Sequence, residues 1–418
     1  MKKFIFHTVV KKSKDEVFGW YQRAGFLERS IPPWEQASNL TTLKNVQIER
    51  KDSNTSILIK QVKDSFTYWE HEVTLIEKEG HSCEIVDQFR LSYKFPWLGK
   101  FFIKKRLSNY VAYKNEIIFH DISTFSKYKY AKPLRILLSG SHGLIGRALF
   151  TFLHFAGHDV WRMSKDQKES LSEYENFDVI IHLAGENIAK GRWSKMKKEK
   201  ILRSRVDGTR NVAQIISKLK NPPKVFLCAS AIGIYGDRNN EVLLESDQKR
   251  GDLFISKVCE EWESAAKSII LPKLRIVNLR FGMVLSSAGG ALKEMLFPFR
   301  LGFGGKLGKG DQFISWICID DVIGAIYHLI MIPALEGAIN ITSPYPVTNA
   351  EFTKELAKCL HRCIGPPLPK CVILFLFGQK GKELLISSTR AAPSKLLQTE
   401  YTFQYPCLKD ALIHVISR

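Results

Sequence analysis

The chain of 418 residues has no apolar run long enough to cross a bilayer, since stretches such as Cys371 to Phe377 fall far short of the roughly 18 residues a spanning helix needs. The opening residues, Met1 to Val10, carry no signal-peptide cleavage pattern, so a cytoplasmic protein without a membrane span is expected. Eight cysteines (Cys83, Cys228, Cys259, Cys318, Cys359, Cys363, Cys371 and Cys407) include no CxxC pair, and several lie in apolar stretches such as Val225 to Ser230. That scatter argues against a zinc site or a disulfide framework; reduced, mostly buried thiols and no metal are expected. Internal repeats and low-complexity tracts are also missing.

Charge of one sign is in excess, at a formal +20, so a nucleic-acid partner has to be weighed. The excess is spread: residues up to 131 carry 22 basic and 15 acidic side chains, and the remainder 40 and 27. With no basic tail and no aromatic-studded RNA motif, nucleic-acid binding is not expected. The densest basic run, Lys190 to Arg205, reads as one solvated helix. Together with Lys306 and Lys309 it is also a candidate for holding an acidic substrate group.

What the chain does contain is a phosphate cradle. Leu134 to Gly157 reads as an apolar strand (Ile136, Leu137, Leu138), a turn with Gly140, Gly143 and Gly146, and an amphipathic helix carrying Leu144, Ile145, Ala148, Leu149, Phe152 and Leu153. Glycine lets the backbone turn sharply and approach a pyrophosphate, while the amides and positive dipole end of the following helix stabilise its charge.

Strands and helices alternate from there on. Strands read at 134–139, 159–163, 178–183, 224–230 and 275–279, with a helix over 207–219. The alternation predicts an α/β fold with a doubly wound parallel sheet whose ligand lies at the carboxyl edge of the strands. Beyond Gly302 the pattern turns irregular: a glycine-rich loop to Gly310, a helix entered through Ile317 to Asp321, and helices over 349–361 and 371–385.

The residues before the cradle have another texture. Ser13 to Glu16 forms a capping box that opens a short helix with Val17, Phe18 and Trp20. Strand-like stretches follow at 46–50, 56–62, 66–77 and 83–93, and then apolar residues at helical spacing from Leu98 to Phe119. The residues establish an aromatic-rich α+β domain, in which Trp34, Trp69 and Trp97 read as core filling. Three domains are therefore expected: 1–131, 132–300 as the nucleotide-binding domain, and 301–418 as a small α/β subdomain on the substrate side.

The N-terminal outline resembles the helix-grip fold of the START-like, Bet v 1-like or SRPBCC superfamily, and Phe26 to Glu35 resembles the variant fused to a dehydrogenase-type domain. The resemblance implies a pocket for an apolar ligand, a lipid or isoprenoid among the alternatives. Residues 134 to 415 resemble the extended short-chain dehydrogenase/reductases. The motifs are the GxxGxxG turn, His182 to Gly185, Ser230 to Gly236, Lys257 and Trp316 to Asp321. Glu186 to Trp193, Pro298 to Gly305 and Ser343 to Phe352 point to the atypical "epimerase family" subgroup, which has a C-terminal domain of unknown function.

That resemblance implies a Rossmann domain in which Gly140, Gly143 and Gly146 hold the pyrophosphate, with Ser141, His142, Leu144, Ile145 and Arg147 also in the cofactor-binding set and Arg147 available on the first helix to a 2′-phosphate. His182, Leu183, Ala184, Gly185 and Glu186 would line the adenosine and ribose side, with Ser230 and Lys257 at the nicotinamide end. The second strand ends in Ser164 and Lys165 where an acidic residue would select NAD, so NADP(H) is favoured, with Asp166 as the counter-reading. In the wider family a tyrosine stands four residues before the lysine and donates the proton; here that position is Leu253. Tyr235 is the candidate substitute beside Ser230 and Lys257 in the catalytic set. Two outcomes stay open. One is an oxidoreductase or epimerase acting on an unidentified carbonyl, hydroxyl or sugar-like small molecule; the other is a catalytically silent NADP-binding regulatory protein.

Overall fold

The computed structural model describes residues 2–36, 46–52, 55–61, 68–92, 100–128, 132–164 and 170–416. Contacts divide the chain into two compact units, one of residues 1–131 with 155–157 and 417–418, the other of 132–154 with 158–416.

The first unit is an antiparallel sheet gripped by one long helix. Its strands are β1 (Lys2–Val10), β2 (Val46–Asp52), β3 (Ser56–Gln61), β4 (Tyr68–Lys78) and β5 (Ser82–Ser92), in the order β1-β5-β4-β3-β2. Alternation along β5 buries Cys83, Ile85, Asp87 and Phe89 on one face, as period-two patterning requires. Helix α1 (Lys14–Gln22) starts at the Ser13–Glu16 capping box and buries Val17, Phe18, Trp20 and Tyr21. Helix α2 (Lys100–Lys127) contributes Ile117, Ile118 and Ile122 to the same core. It runs beyond the sequence-based end at Phe119, because the apolar spacing continues through Ile122 and no glycine or proline intervenes before Pro133. Trp97 lies outside the described residues.

The second unit carries a six-stranded sheet, parallel at every pairing. Its strands are β6 (Arg135–Ser139), β7 (Asp159–Arg162), β8 (Val179–His182), β9 (Val225–Ala231), β10 (Arg275–Phe281) and β11 (Gly337–Ile341), in the order β11-β10-β9-β8-β6-β7. From β6 the chain moves outward to β7 and then back across to β8. The strand order therefore reverses between β6 and β8, and a doubly wound sheet binds its ligand at the carboxyl end of that switch point. Helices α3 (Leu144–Phe155), α4 (Lys195–Lys218) and α5 (Phe254–Lys267) are crossovers between these strands, and α6 (Ile319–Met331) precedes the last. Ile136, Leu138, Ile180, Ile181, Phe226, Leu227, Val277 and Leu279 are buried at 0%, and each such side chain contributes about 1.5–3 kcal/mol relative to exposure.

The sixth strand, β11, lies in the region read as irregular from sequence; it is short, and Gly337 enters it with φ +72°. The stretch expected to be one helix over 371–385 is instead a helix, α7 (Lys370–Gly381), with a break at Gly378 (φ +57°), followed by a single wide turn over Lys382–Ile386. Among the described residues no helix is long and apolar enough to cross a membrane.

Candidate functional site

Strand β6 ends at Ser139, and the glycine turn follows at the switch point. Gly140 has φ +71°, and a Cβ there would come within 2.7 Å of the backbone of Leu183 and Ala184, in the loop that leaves β8. A Cβ on Gly146 would lie 2.2 Å from the Gly140 carbonyl oxygen. The turn and the helix behind it are thus in backbone contact, which only glycine permits at both positions. The Gly143 amide closes the turn on the Gly140 carbonyl at 2.9 Å. Helix α3 begins at Leu144, so its first amides are directed out of the turn. His142, Gly143 and Arg147 are exposed, Leu144 and Ile145 half-buried, and Ser141 buried. This geometry fits a pyrophosphate.

The ends of the two switch-point strands are tied together. Ser139 Oγ and His182 Nδ1 share a 2.6 Å hydrogen bond, and both residues are buried. Burial lowers the His182 imidazole to about 4, so it is neutral at physiological pH. Its Nε2 has no partner and faces the Gly208 position of α4. Leu183 and Ala184 line the turn, while Gly185 packs on Arg205, whose guanidinium lies 5.1 Å from the Trp262 ring. Glu186 holds Lys197 at 2.6 Å and Lys200 at 3.6 Å. Ser164 is half-buried. Lys165 and Asp166, on which the choice of cofactor was read, lie outside the described residues.

Ser230 and Tyr235 are brought together, but inside the body. Ser230 Oγ donates to Glu263 Oε1 at 2.8 Å. The same carboxylate takes Arg280 in two bonds, Nε at 2.7 Å and Nη2 at 2.9 Å. Arg280 Nη1 donates to the Tyr235 hydroxyl at 2.8 Å, and that hydroxyl has Asn340 Oδ1 at 2.8 Å and the Leu244 carbonyl at 3.0 Å as acceptors. The sheet register explains the alignment, because Arg280 on β10 stands beside Ser230 on β9 and Asn340 on β11. Burial raises the Tyr235 phenol against the pull of Arg280. Buried and fully bonded, Tyr235 has no hydroxyl proton to offer a substrate in this arrangement. The open end of β9 is Ala231, which carries no hydroxyl. Lys257 is exposed in the first turn of α5, away from this network.

One residue here was missed by sequence reasoning. Helix α5 starts after Leu253, which has no capping side chain. Glu383 supplies the cap from far downstream, accepting from the amides of Phe254 at 3.2 Å and Ile255 at 2.9 Å. Leu253 at an N-cap position was itself a signal that a carboxylate had to come from elsewhere.

The basic run is largely spent on structure. Lys197 and Lys200 serve Glu186, Arg192 binds the carbonyl of Leu376, and Lys198 binds Gln379. Among the described residues Cys318, Asp320 and His414 bring donor atoms within 4.8 Å of one another. His414 and Asp320 pair at 2.9 Å, and burial pushes the Cys318 thiol up, keeping it protonated and a poor metal ligand.

The matches to known proteins agree with this geometry. Residues 136–341 match the NAD dependent epimerase/dehydratase family, and residues 368–415 match a domain of unknown function (DUF1731). The chain is 33% identical over 297 residues to the human epimerase family protein SDR39U1, covering 68% of this chain and 100% of that protein. It is 32% identical over 301 residues to the epimerase family protein YfhF of Bacillus subtilis, covering 68% and 98%. A structure of human SDR39U1 (isoform 2) with NADPH superposes with a TM-score of 0.64, at 33% identity, over 68% of this chain and 99% of that one. A nucleoside-diphosphate sugar epimerase from Corynebacterium glutamicum superposes with a TM-score of 0.76 at 25% identity, over 99% of this chain and 90% of that one.

Proposed function

Because the chain belongs to the NAD dependent epimerase/dehydratase family, we propose that it is an NADP(H)-binding protein of the oxidoreductase or epimerase type, acting on a carbonyl, hydroxyl or sugar-like compound. The observation that carries the reading is the backbone contact of Gly140 and Gly146 at the switch point, a cradle that a Cβ at either position would fill. The cofactor supplies hydride exchange when bound. Gly140 to Gly146 hold its pyrophosphate through turn amides and the start of α3. Leu183 to Glu186 line the adenosine side, Lys165 with Arg147 takes the 2′-phosphate, and Lys257 serves the nicotinamide end. The NADPH in the human relative's structure supports this choice. His182, neutral and bonded to Ser139, fixes the two strand ends without carrying charge toward the phosphates.

A second reading, a nucleotide-binding protein without turnover, rests on one observation. The Ser230 and Tyr235 hydroxyls are consumed by Glu263, Arg280 and Asn340, and Leu253 replaces the usual proton donor. The N-terminal unit is a START-like domain in this proposal, its sheet and long helix supporting the resemblance. A cytoplasmic setting and independence from nucleic acid belong to the same proposal.

Calorimetric titration of the full chain with NADPH and NADH tests the cofactor assignment. Stoichiometric NADPH binding is expected, with Lys165→Asp losing NADPH far more than NADH; equal losses refute the role of Lys165. NADPH oxidation across a carbonyl panel decides between the two readings, and stoichiometric binding without oxidation favours the silent one.

A further inference from the structure

Strand β1 is one edge of the N-terminal sheet. Strand β1 is bonded to β5 on one side, and among the described residues no strand pairs with the other. Along β1 and α2 runs a groove of about 770 Å³ lined by every residue from Ile5 to Val10 in succession. Side chains on a strand point alternately to opposite faces. Consecutive lining residues therefore mean that the space runs beside the strand, along its free amides and carbonyls, and not over one face. The opposite wall is a stripe of α2, including Lys104, Ser108, Val111, Asn115 and Phe119, three or four residues apart.

Asn115 is an independent observation. It is 3% exposed, lines the groove, and neither its amide nitrogen nor its oxygen has a partner. Folding disfavours such a group unless something else satisfies it. A carboxamide offers a donor and an acceptor in one plane, the same pattern as a peptide unit. An extended chain laid in the groove pairs one edge with β1, and a peptide unit on its other edge reaches Asn115 once that buried side chain turns toward the space. Ile5 and Val9, 45% and 61% exposed, provide contact for apolar side chains on alternate residues. Lys11 and Lys104 face the groove, with Lys12 over the Phe119 ring at its end, and among the described lining residues Glu116 is the one acid.

We propose that β1, α2 and Asn115 form a docking groove for an extended acidic segment of a partner protein with alternating apolar residues, which adds a sixth strand to the sheet. The occupant is an acidic strand because lysines outnumber the acid among the described lining residues and, among the described residues, the strand edge lacks a mate.

The probe is a labelled, end-blocked octapeptide of alternating valine and glutamate, titrated into the full chain by fluorescence anisotropy, with amide exchange followed over β1. Saturable binding with slowed exchange in Lys2–Val10 is expected. Methylating alternate peptide nitrogens, or Asn115→Ala, weakens binding by about tenfold or more. Asn115→Ala leaves the thermal midpoint unchanged or raised, since it removes groups that the free protein leaves unpaired. The exposed pair Lys11→Glu and Lys104→Glu gives a second loss, relieved for a lysine-valine peptide. No saturable binding, equal affinity for the methylated peptide, or a groove that takes an apolar dye and no peptide overturns the proposal. So does an Asn115→Ala variant with lowered midpoint and unchanged affinity.

Discussion

Two buried polar clusters, one in each unit, are built from similar groups and end differently. In the second unit Ser230, Glu263, Arg280, Tyr235 and Asn340 link three neighbouring strands, and every buried side-chain polar atom among them has a partner. In the first unit Asp87 Oδ1 accepts from His71 Nε2 at 2.7 Å and from Lys114, which also donates to the Tyr21 hydroxyl at 2.8 Å. Asp87 Oδ2 has no partner at all. A closed network of this kind stiffens the fold, whereas an open one carries an unspent acceptor in a low-dielectric interior. The N-terminal interior thus holds a charged pair and a neutral histidine under α2 beside its apolar core. Burial lowers His71 below its ordinary value, so the ion pair consists of Asp87 and Lys114.

The comparison can be broken by substitution. Arg280→Met is expected to cost about 3–5 kcal/mol in urea unfolding, because it strands the Glu263 carboxylate among three strands. Ser230→Ala is expected to cost only about 1 kcal/mol, since Arg280 still satisfies that oxygen. An Arg280 variant of unchanged stability would mean that the closed cluster is not structural. Lys114→Met gives a smaller loss than Arg280→Met, on the order of 2 kcal/mol, because His71 remains to partner Asp87. Adding Asp87→Asn to Lys114→Met should recover most of it.

A further set of effects is in pH. Burial would raise Asp87, but Lys114 and His71 hold it at about 2, below its ordinary 3.8. Its contribution is present above about pH 4 and is lost as pH falls toward 2. Asp321 is the opposite case in the second unit. Burial raises its carboxyl to about 7 against the amides of Gln404 and Tyr405. Its contribution is complete below about pH 4 and is lost as pH rises through 7. Unfolding midpoints measured at about pH 5 and 8 should fall with rising pH in the natural chain and change less in Asp321→Asn. An identical slope in both would remove Asp321 as the cause.

These features differ in how far they could be read before the fold was known. The glycine turn was legible because strand, turn and helix are contiguous, and one stretch of chain carries the whole geometry. Leu253 was legible as a missing donor for the same reason. The Arg280 to Glu263 pair was not, since it depends on a helix and a strand meeting in one register. Tyr235 read as a candidate proton donor because the residues that occupy its hydroxyl, Arg280 and Asn340, stand 45 and 105 positions away. Strand β11 was hidden by its shortness and by a glycine entry that resembles a loop. The Asp87, His71 and Lys114 cluster spans two strands and α2, and no local pattern announces it.

The cap on α5 bears on the order in which the molecule is made. Glu383 sits 128 residues beyond Ile255, so a ribosome has long since delivered the helix when the carboxylate that completes its first turn emerges. Until then the amides of Phe254 and Ile255 are without that acceptor. A chain cut short before Glu383 would therefore lack the carboxylate that takes these two amides.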